Sequence, residues 1–149
     1  MVTIRLSNCR DGHQIRAWLK KLDALLDRHW LDRTYYRLES ADRTLFIALV
    51  EEDRANYGAH VHMLLRLPPT VTLTWKRCEQ VEFKARRLGV YDIQARAIEK
   101  NGSEAIAAAY CLKESWKAGN QNIHGHLREE SLYFSYEFHP ANPNGARPR

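Results

Sequence analysis

Apolar and polar residues alternate over several short stretches of the chain, and this two-residue period predicts half-buried β-strands. The alternating stretches are residues 2–6, 35–38, 44–51, 58–67, 91–98 and 132–138. The second and third flank a polar turn at residues 40–43, which favours a hairpin. Pro68 and Pro69 end the fourth, because proline cannot donate a hydrogen bond to a neighbouring strand.

Three further stretches carry apolar residues at the spacing of an amphipathic helix. We expect the first helix from about His13 to Trp30 and the second from Trp75 to Leu88, closed by Gly89. The third is expected from Glu104 to about Trp116, after a capping turn at residues 101–103.

This order of elements, β-α-β-β-β-α-β-α with a further strand at the end, predicts an α+β fold. We expect a central antiparallel sheet of about five strands, flanked by helices. One domain spans residues 1–139, and residues 140–149 have the composition of a flexible tail or linker.

Composition and charge narrow the class of protein. The 149 residues suit one domain, and the net charge of +5 with an isoelectric point of about 9.2 favours a polyanionic partner. The sequence shows no secretory leader and no apolar run long enough to cross a bilayer, so we expect a soluble intracellular protein. The three cysteines are widely spaced, which indicates reduced thiols rather than a disulfide framework.

Two histidines separated by one valine lie in the expected strand at 58–67. His60 and His62 therefore point to one face, while the apolar residues around them point to the other. They are either half-exposed histidines with no role or two ligands of a divalent ion, and a convincing site needs a third ligand. Glu51 and Glu52 end the preceding strand and can supply it. Such a mixed nitrogen and oxygen set suits Mg²⁺ or Mn²⁺.

The third helix carries a tyrosine away from its apolar side. Residues 105, 108, 109, 112 and 116 form the apolar stripe, whereas Tyr110 shares a different face with Lys113, Glu114 and Lys117. A phenol with an ammonium group one turn away is suited to attack on a phosphate, provided that the phenol is activated. The alternative is an ordinary surface contact between Tyr110 and Lys113.

Taken together, these motifs resemble those of the HUH endonuclease superfamily, and within it the rolling-circle replication initiators, or Rep proteins. Residues 60–62 match the histidine-hydrophobic-histidine strand of that family, and residues 110–113 match its Y-x-x-K motif in the same order. Glu51 precedes His60 by the nine residues typical of the third ligand in small circular-DNA virus initiators. The first strand, residues 2–6, is only a loose match to the first motif of the family.

The resemblance implies the Rep-type (RRM-like) nuclease fold and a divalent metal, Mg²⁺ or Mn²⁺. It implies that His60, His62 and Glu51 are the metal ligands. Glu52 and Glu114 are the reserve ligands.

The activity implied is sequence-specific nicking and joining of single-stranded DNA, which initiates rolling-circle replication. Tyr110 would attack a DNA phosphate, giving a 5′-phosphotyrosine and a free 3′-hydroxyl, and Lys113 would stabilise the phenolate or contact the phosphate. The partner is single-stranded or hairpin DNA at a replication origin, with a helicase domain or partner also expected. No membrane is expected to be a partner. The compartment implied is the cytoplasm, or the host nucleus for a eukaryotic virus.

DNA binding requires basic side chains for the phosphates and flat side chains for the bases. The basic candidates are Arg5, Arg37, Arg66, Lys76, Arg77, Lys84, Arg86, Arg87, Arg96 and Lys117. Trp75, Tyr36 or Tyr57 would stack on bases, unless Trp75 is a core residue and the tyrosines fill the sheet.

Two other functions are open at this point. Single-tyrosine transposases carry a similar histidine strand, but they usually have Pro-Asp where this chain has Gly58-Ala59, and glutamine where it has Glu114. The other alternative is a module that binds single-stranded nucleic acid without cutting it.

Overall fold

The computed structural model describes residues 1–6, 12–53, 58–90, 92–98 and 132–139. The third helix predicted at 104–116 and the predicted tail at 140–149 lie outside the described residues. The strands are β1 (Val2–Leu6), β2 (Leu45–Asp53), β3 (Gly58–Arg66), β4 (Ile93–Ala95) and β5 (Leu132–Phe134). The helices are α1 (Gly12–Trp30) and α2 (Trp75–Arg86), and short 3₁₀ turns lie at Tyr35–Arg37, Ser40–Asp42 and Ser135–Phe138.

The five strands form one antiparallel sheet in the order β4-β1-β3-β2-β5. The predicted α+β class and the antiparallel five-stranded sheet are therefore confirmed. The long pair β2 and β3 forms a hairpin at the centre, with β1 beside β3 and β5 beside β2. This arrangement places β1 and β2 on either side of the histidine motif, which lies in β3.

Three strand predictions differ from the structure. The strand predicted at 91–98 is shortened to Ile93–Ala95 among the described residues. Residues 35–37 form a 3₁₀ turn instead of a strand, since β2 already pairs with β3 on one edge and β5 on the other. The last strand is also shorter than the predicted 132–138. The backbone N–H of Phe46 donates to the Ser135 side chain at 2.9 Å, and the chain turns into a 3₁₀ helix at that point.

Both helices pack on one face of the sheet, because their buried residues share a single core with alternate residues of the strands. The strand residues of this core are Val2, Ile4, Leu6, Phe46, Ala48, Val50, Ala59, Val61, Met63, Ile93, Ala95 and Tyr133. The helix residues are Ile15, Leu19, Leu22, Leu26, Cys78, Val81 and Ala85. Each fully buried leucine or isoleucine contributes about 1.5–3 kcal/mol to folding. The strand residues between these core positions therefore form the opposite face.

The ends of α2 follow the sequence prediction closely. The Thr74 side chain accepts a hydrogen bond from the backbone N–H of Arg77 at 3.3 Å and caps the first turn. Gly89 follows the helix with φ of 82°, a left-handed conformation that glycine adopts without a Cβ clash. Cys78 is a buried free thiol, and its burial raises the pKa of this thiol. Among the described residues, neither helix combines the length and the apolar composition that a bilayer span requires.

Candidate functional site

The face of the sheet opposite the helices carries a group of polar side chains from its three central strands. We call it the histidine face, and its polar residues are Arg5 of β1, Glu51 of β2, and His60 and His62 of β3. In the backbone register His60 lies opposite Arg5 on one side and Glu51 on the other. The alternation predicted for residues 60–63 is confirmed, since Met63 is fully buried in the core on the other face.

The three predicted metal ligands lie together on this face. Oε2 of Glu51 is 3.5 Å from Nε2 of His62, and the ring centroids of His60 and His62 are 6.3 Å apart. His62 is only 8% exposed. Its register partner Leu49 is 3% exposed and lies outside the main core cluster, so this part of the histidine face is largely shielded from solvent.

The donor set suits a divalent cation. Oε1 of Glu51 is buried and accepts no hydrogen bond in the described part of the chain. A buried carboxylate oxygen without a partner costs free energy, and a bound cation would remove that cost. Two imidazoles and one carboxylate also match the ligand types of Mn²⁺ and related ions.

Arg5 contacts this group directly. Its Nε donates to Nε2 of His60 at 2.7 Å, and its Nη1 lies 3.0 Å from Oδ2 of Asp92, just before β4. A ring nitrogen that accepts a hydrogen bond carries no proton, so the neutral His60 ring has its proton on Nδ1. The guanidinium of Arg5 therefore lies between His60 and Asp92. The contact of Arg5 with DNA phosphates stays a prediction.

Several predicted DNA contacts lie away from the histidine face. Helix α2 carries Lys76, Arg77, Lys84 and Arg86, and Arg87 directly follows its last residue. It packs on the core face, so these side chains lie on the other side of the sheet from His60. Their binding to DNA stays a prediction.

The aromatic candidates have different environments. Trp75 is 69% exposed and its indole N–H donates to Glu79, so the alternative of a core tryptophan is wrong. Tyr36 is half-buried, and the guanidinium of Arg37 lies 5.7 Å from its ring centroid. Tyr57 lies outside the described residues.

Other predicted site residues are not described by the structure. Four predicted site residues lie outside the described ranges: Tyr110, Lys113, Glu114 and Lys117, which were assigned to the predicted third helix. The side chain of Glu52 is also not described. Whether the nucleophile predicted at Tyr110 approaches the histidine face therefore stays a prediction.

A cavity of about 850 Å³ lies at the other end of the central hairpin. Its lining is mostly apolar and includes Leu65 and Phe134, together with three predicted DNA-contacting arginines, Arg66, Arg77 and Arg96. Neither histidine lines this cavity. It is therefore separate from the candidate metal ligands.

A second group of buried ionisable residues, which sequence reasoning missed, lies on the core side of the sheet. Asp23 and Asp27 of α1 meet His139, and one ligand atom from each lies within 4.8 Å of the others. Nε2 of His139 is 2.9 Å from Oδ2 of Asp23. By residue type this group could hold a metal ion.

Arg43 competes with any ion for the centre of this group. Its Nε donates to Oδ2 of Asp27 at 2.7 Å, while the backbone N–H of Thr44 donates to the other oxygen of Asp27 at 2.9 Å. Burial raises the pKa of Asp23, although the hydrogen bond with His139 acts in the opposite direction. The contacts therefore form a buried ion-pair network that joins α1, the start of β2 and the segment after β5.

A sequence signal for this network was present. Asp23 and Asp27 are four residues apart and lie on the side of α1 that carries Leu19 and Leu26. Charged residues on an apolar stripe are rarely buried unless they are paired, so their position indicates buried cationic partners.

The histidine face thus combines a carboxylate of β2 with two imidazoles of β3. Both groups contain a guanidinium, that of Arg5 on the histidine face and that of Arg43 in the buried network. Each group also retains a buried carboxylate oxygen that the described residues leave without a hydrogen bond, Oε1 of Glu51 and Oδ1 of Asp23. Among the described residues, the ligand atoms that lie within 4.8 Å of one another are those of Asp23, Asp27 and His139. Arg43 already pairs with the carboxylates of that network, whereas Arg5 contacts an imidazole of the histidine face and leaves the Glu51 carboxylate to a cation. Comparison of the chain with family models, curated proteins and solved structures found no match.

Proposed function

We propose that this protein is a metal-dependent endonuclease that nicks and rejoins single-stranded DNA at a replication origin and so initiates rolling-circle replication. One observation carries the proposal: Glu51, His60 and His62 lie side by side on one face of the sheet, with Oε2 of Glu51 3.5 Å from Nε2 of His62. This is the arrangement expected from the resemblance to Rep proteins of the HUH superfamily.

The metal ligands of this proposal are His60, His62 and Glu51. The two imidazoles supply nitrogen donors, and the Glu51 carboxylate supplies the negative charge that offsets a divalent cation. When bound, Mg²⁺ or Mn²⁺ supplies Lewis acidity to the scissile phosphate. The low exposure of His62 limits the access of water to this side of the group.

The nucleophile of this proposal is Tyr110. Its phenolate oxygen forms a bond to phosphorus as the bond from phosphorus to the departing 3′-oxygen breaks, and that oxygen takes up a proton to become a 3′-hydroxyl. The product is a 5′-phosphotyrosine. Lys113 stabilises the phenolate or the phosphate charge.

Exposed apolar side chains on the same face of the sheet as the metal ligands support single-stranded DNA as the substrate. Ile47, Phe134 and Tyr136 also line the cavity at the other end of the hairpin. Ile47 of β2 and Leu132 of β5 have the register of the histidine face, and each is 44% exposed. The rings of Phe134 and Tyr136 stack with centroids 5.3 Å apart, and Tyr136 is largely exposed. Exposed apolar and aromatic groups bind the faces of unpaired bases, which a duplex does not offer.

The experiment that tests the proposal is a search for a covalent product. The protein is incubated with Mn²⁺ and a pool of single-stranded oligonucleotides, and protein–DNA adducts are resolved on a denaturing gel. We expect an adduct with the wild type and with Tyr36→Phe, and none with Tyr110→Phe. Binding without an adduct from any origin-like sequence would support the non-catalytic binding module instead.

Two further variants separate the replication initiator from the single-tyrosine transposase. Under the proposal Glu51→Ala abolishes the adduct, whereas Glu114→Ala leaves part of it. The opposite result would favour the transposase, in which the residue four positions after the tyrosine belongs to the metal site.

A further inference from the structure

We infer that Arg5 competes with the divalent cation for His60 and so sets the affinity of the histidine face for metal. The inference rests on the proposed metal-dependent function. It concerns a residue on β1, the strand that matches the first motif of the Rep family only loosely.

The competition follows from the number of lone pairs on the imidazole. A neutral ring has one nitrogen with a lone pair and one that carries a proton. In the structure Nε2 of His60 accepts the hydrogen bond from Nε of Arg5 at 2.7 Å, which leaves the proton on Nδ1. Neither nitrogen of His60 can then bind a cation until the Arg5 contact is broken.

The backbone fixes Arg5 in this place. Arg5 lies directly opposite His60 in the β1–β3 register, and its backbone N–H donates to the carbonyl oxygen of Asp92 at 2.9 Å. The Cα of Arg5 is therefore fixed opposite that of His60, and the side chain is long enough to reach the ring.

Asp92 gives the guanidinium a second position. The Asp92 carboxylate lies 3.0 Å from Nη1 of Arg5, and both side chains are substantially exposed. Arg5 can leave His60 and keep this ion pair at the edge of the site. The displaced positive charge still lies close to the bound cation and repels it, so both the lost hydrogen bond and the repulsion lower the affinity for metal.

The test is a titration of the full chain with Mn²⁺, in which free Mn²⁺ is measured by electron paramagnetic resonance. We expect Arg5→Gln to bind Mn²⁺ about 10- to 100-fold more tightly than the wild type, the range typical of changes next to metal ligands. Arg33→Gln removes the same charge from an exposed position and is the matched control, with the affinity of the wild type. Circular dichroism establishes that each variant is folded.

The outcomes separate this inference from the proposed function. Equal affinity in the wild type and Arg5→Gln, or weaker affinity in Arg5→Gln, would overturn the role of Arg5 and leave the metal centre standing. Absence of Mn²⁺ binding by both folded proteins would overturn the inference and the proposed metal centre together.

A second measurement needs no metal. In ¹⁵N-detected spectra of the histidine rings, we expect His60 of the metal-free wild type to carry its proton on Nδ1, and we expect this preference to weaken in Arg5→Gln. A proton on Nε2 of His60 in the wild type would contradict the hydrogen bond on which the inference depends.

Discussion

The Glu51 carboxylate reaches Nε2 of His62 at 3.5 Å, although the residue opposite Glu51 in the β2–β3 register is His60. Diagonal neighbours on an antiparallel pair are within reach of long side chains, so this contact is compatible with the pleat. His60 is instead contacted by Arg5 from the other neighbouring strand. The two histidines therefore have different partners, one anionic and one cationic, before any metal binds.

Glu51→Gln is expected to weaken Mn²⁺ binding by about 10- to 100-fold or more, because a ligand has a larger effect than the outer-shell residues for which that range is typical. The amide keeps the size of the side chain but removes its negative charge. Titration calorimetry measures the change. Glu39→Gln, at an exposed carboxylate before a 3₁₀ turn, is the control and should bind as the wild type does. An unchanged affinity in Glu51→Gln would remove Glu51 from the ligand set.

Removal of divalent metal with a chelator is expected to abolish formation of the DNA adduct and to leave the protein folded. The reason is that the main core lies on the other face of the sheet from His60 and His62. Conversely, Mn²⁺ at a concentration of about 100 times Kd should raise the free energy of unfolding by about 2.7 kcal/mol.

Thermal unfolding with and without Mn²⁺ measures both effects. Glu51→Gln should show a smaller rise in Tm at the same Mn²⁺ concentration. Loss of the folded state in the chelator alone would mean that the metal is structural.

The sequence was sufficient to predict the strand of the histidine face and the side on which His60 and His62 lie, because a two-residue period determines both. The position of Glu51 followed from the hairpin between β2 and β3. The strand predicted at 35–38 was wrong because local pattern carries no information on whether an edge of β2 is available.

The buried network was harder to predict because its members come from distant parts of the chain. His139 is 116 residues from Asp23, and Arg43 reaches Asp27 from a segment with no regular secondary structure. Only the two carboxylates on the apolar side of α1 indicated it. Which cation they would meet depends on tertiary packing.

Asp27→Ala is expected to lower the free energy of unfolding by about 3 kcal/mol, since the buried Arg43 guanidinium loses its 2.7 Å partner and keeps the longer contact of 3.7 Å to Asp23. The backbone N–H of Thr44 also loses its acceptor. Urea unfolding followed by circular dichroism measures the loss. Asp42→Ala, at an exposed carboxylate, is the control and should change stability by about 0.5 kcal/mol or less. A loss in Asp27→Ala as small as that of the control would show that the network contributes little.

Asp23 is expected to make the stability of the protein depend on pH. Burial raises its pKa in the folded state above the ordinary 3.8, although His139 and Arg43 act in the opposite direction and Asp27 acts in the same one. Between those two pKa values the folded protein holds a proton that the unfolded chain has lost. The free energy of unfolding due to Asp23 therefore falls as pH rises through this range.

Asp23→Asn isolates this contribution, because the amide keeps an oxygen at the site but does not titrate. The free energy of unfolding of the wild type minus that of Asp23→Asn is expected to fall as pH rises from about 3.8 to the raised pKa and then to level off. Urea unfolding at a series of pH values measures the difference. If the difference rises with pH instead, Asp23 is held as a carboxylate in the folded state, and attraction to His139 and Arg43 outweighs the cost of its burial.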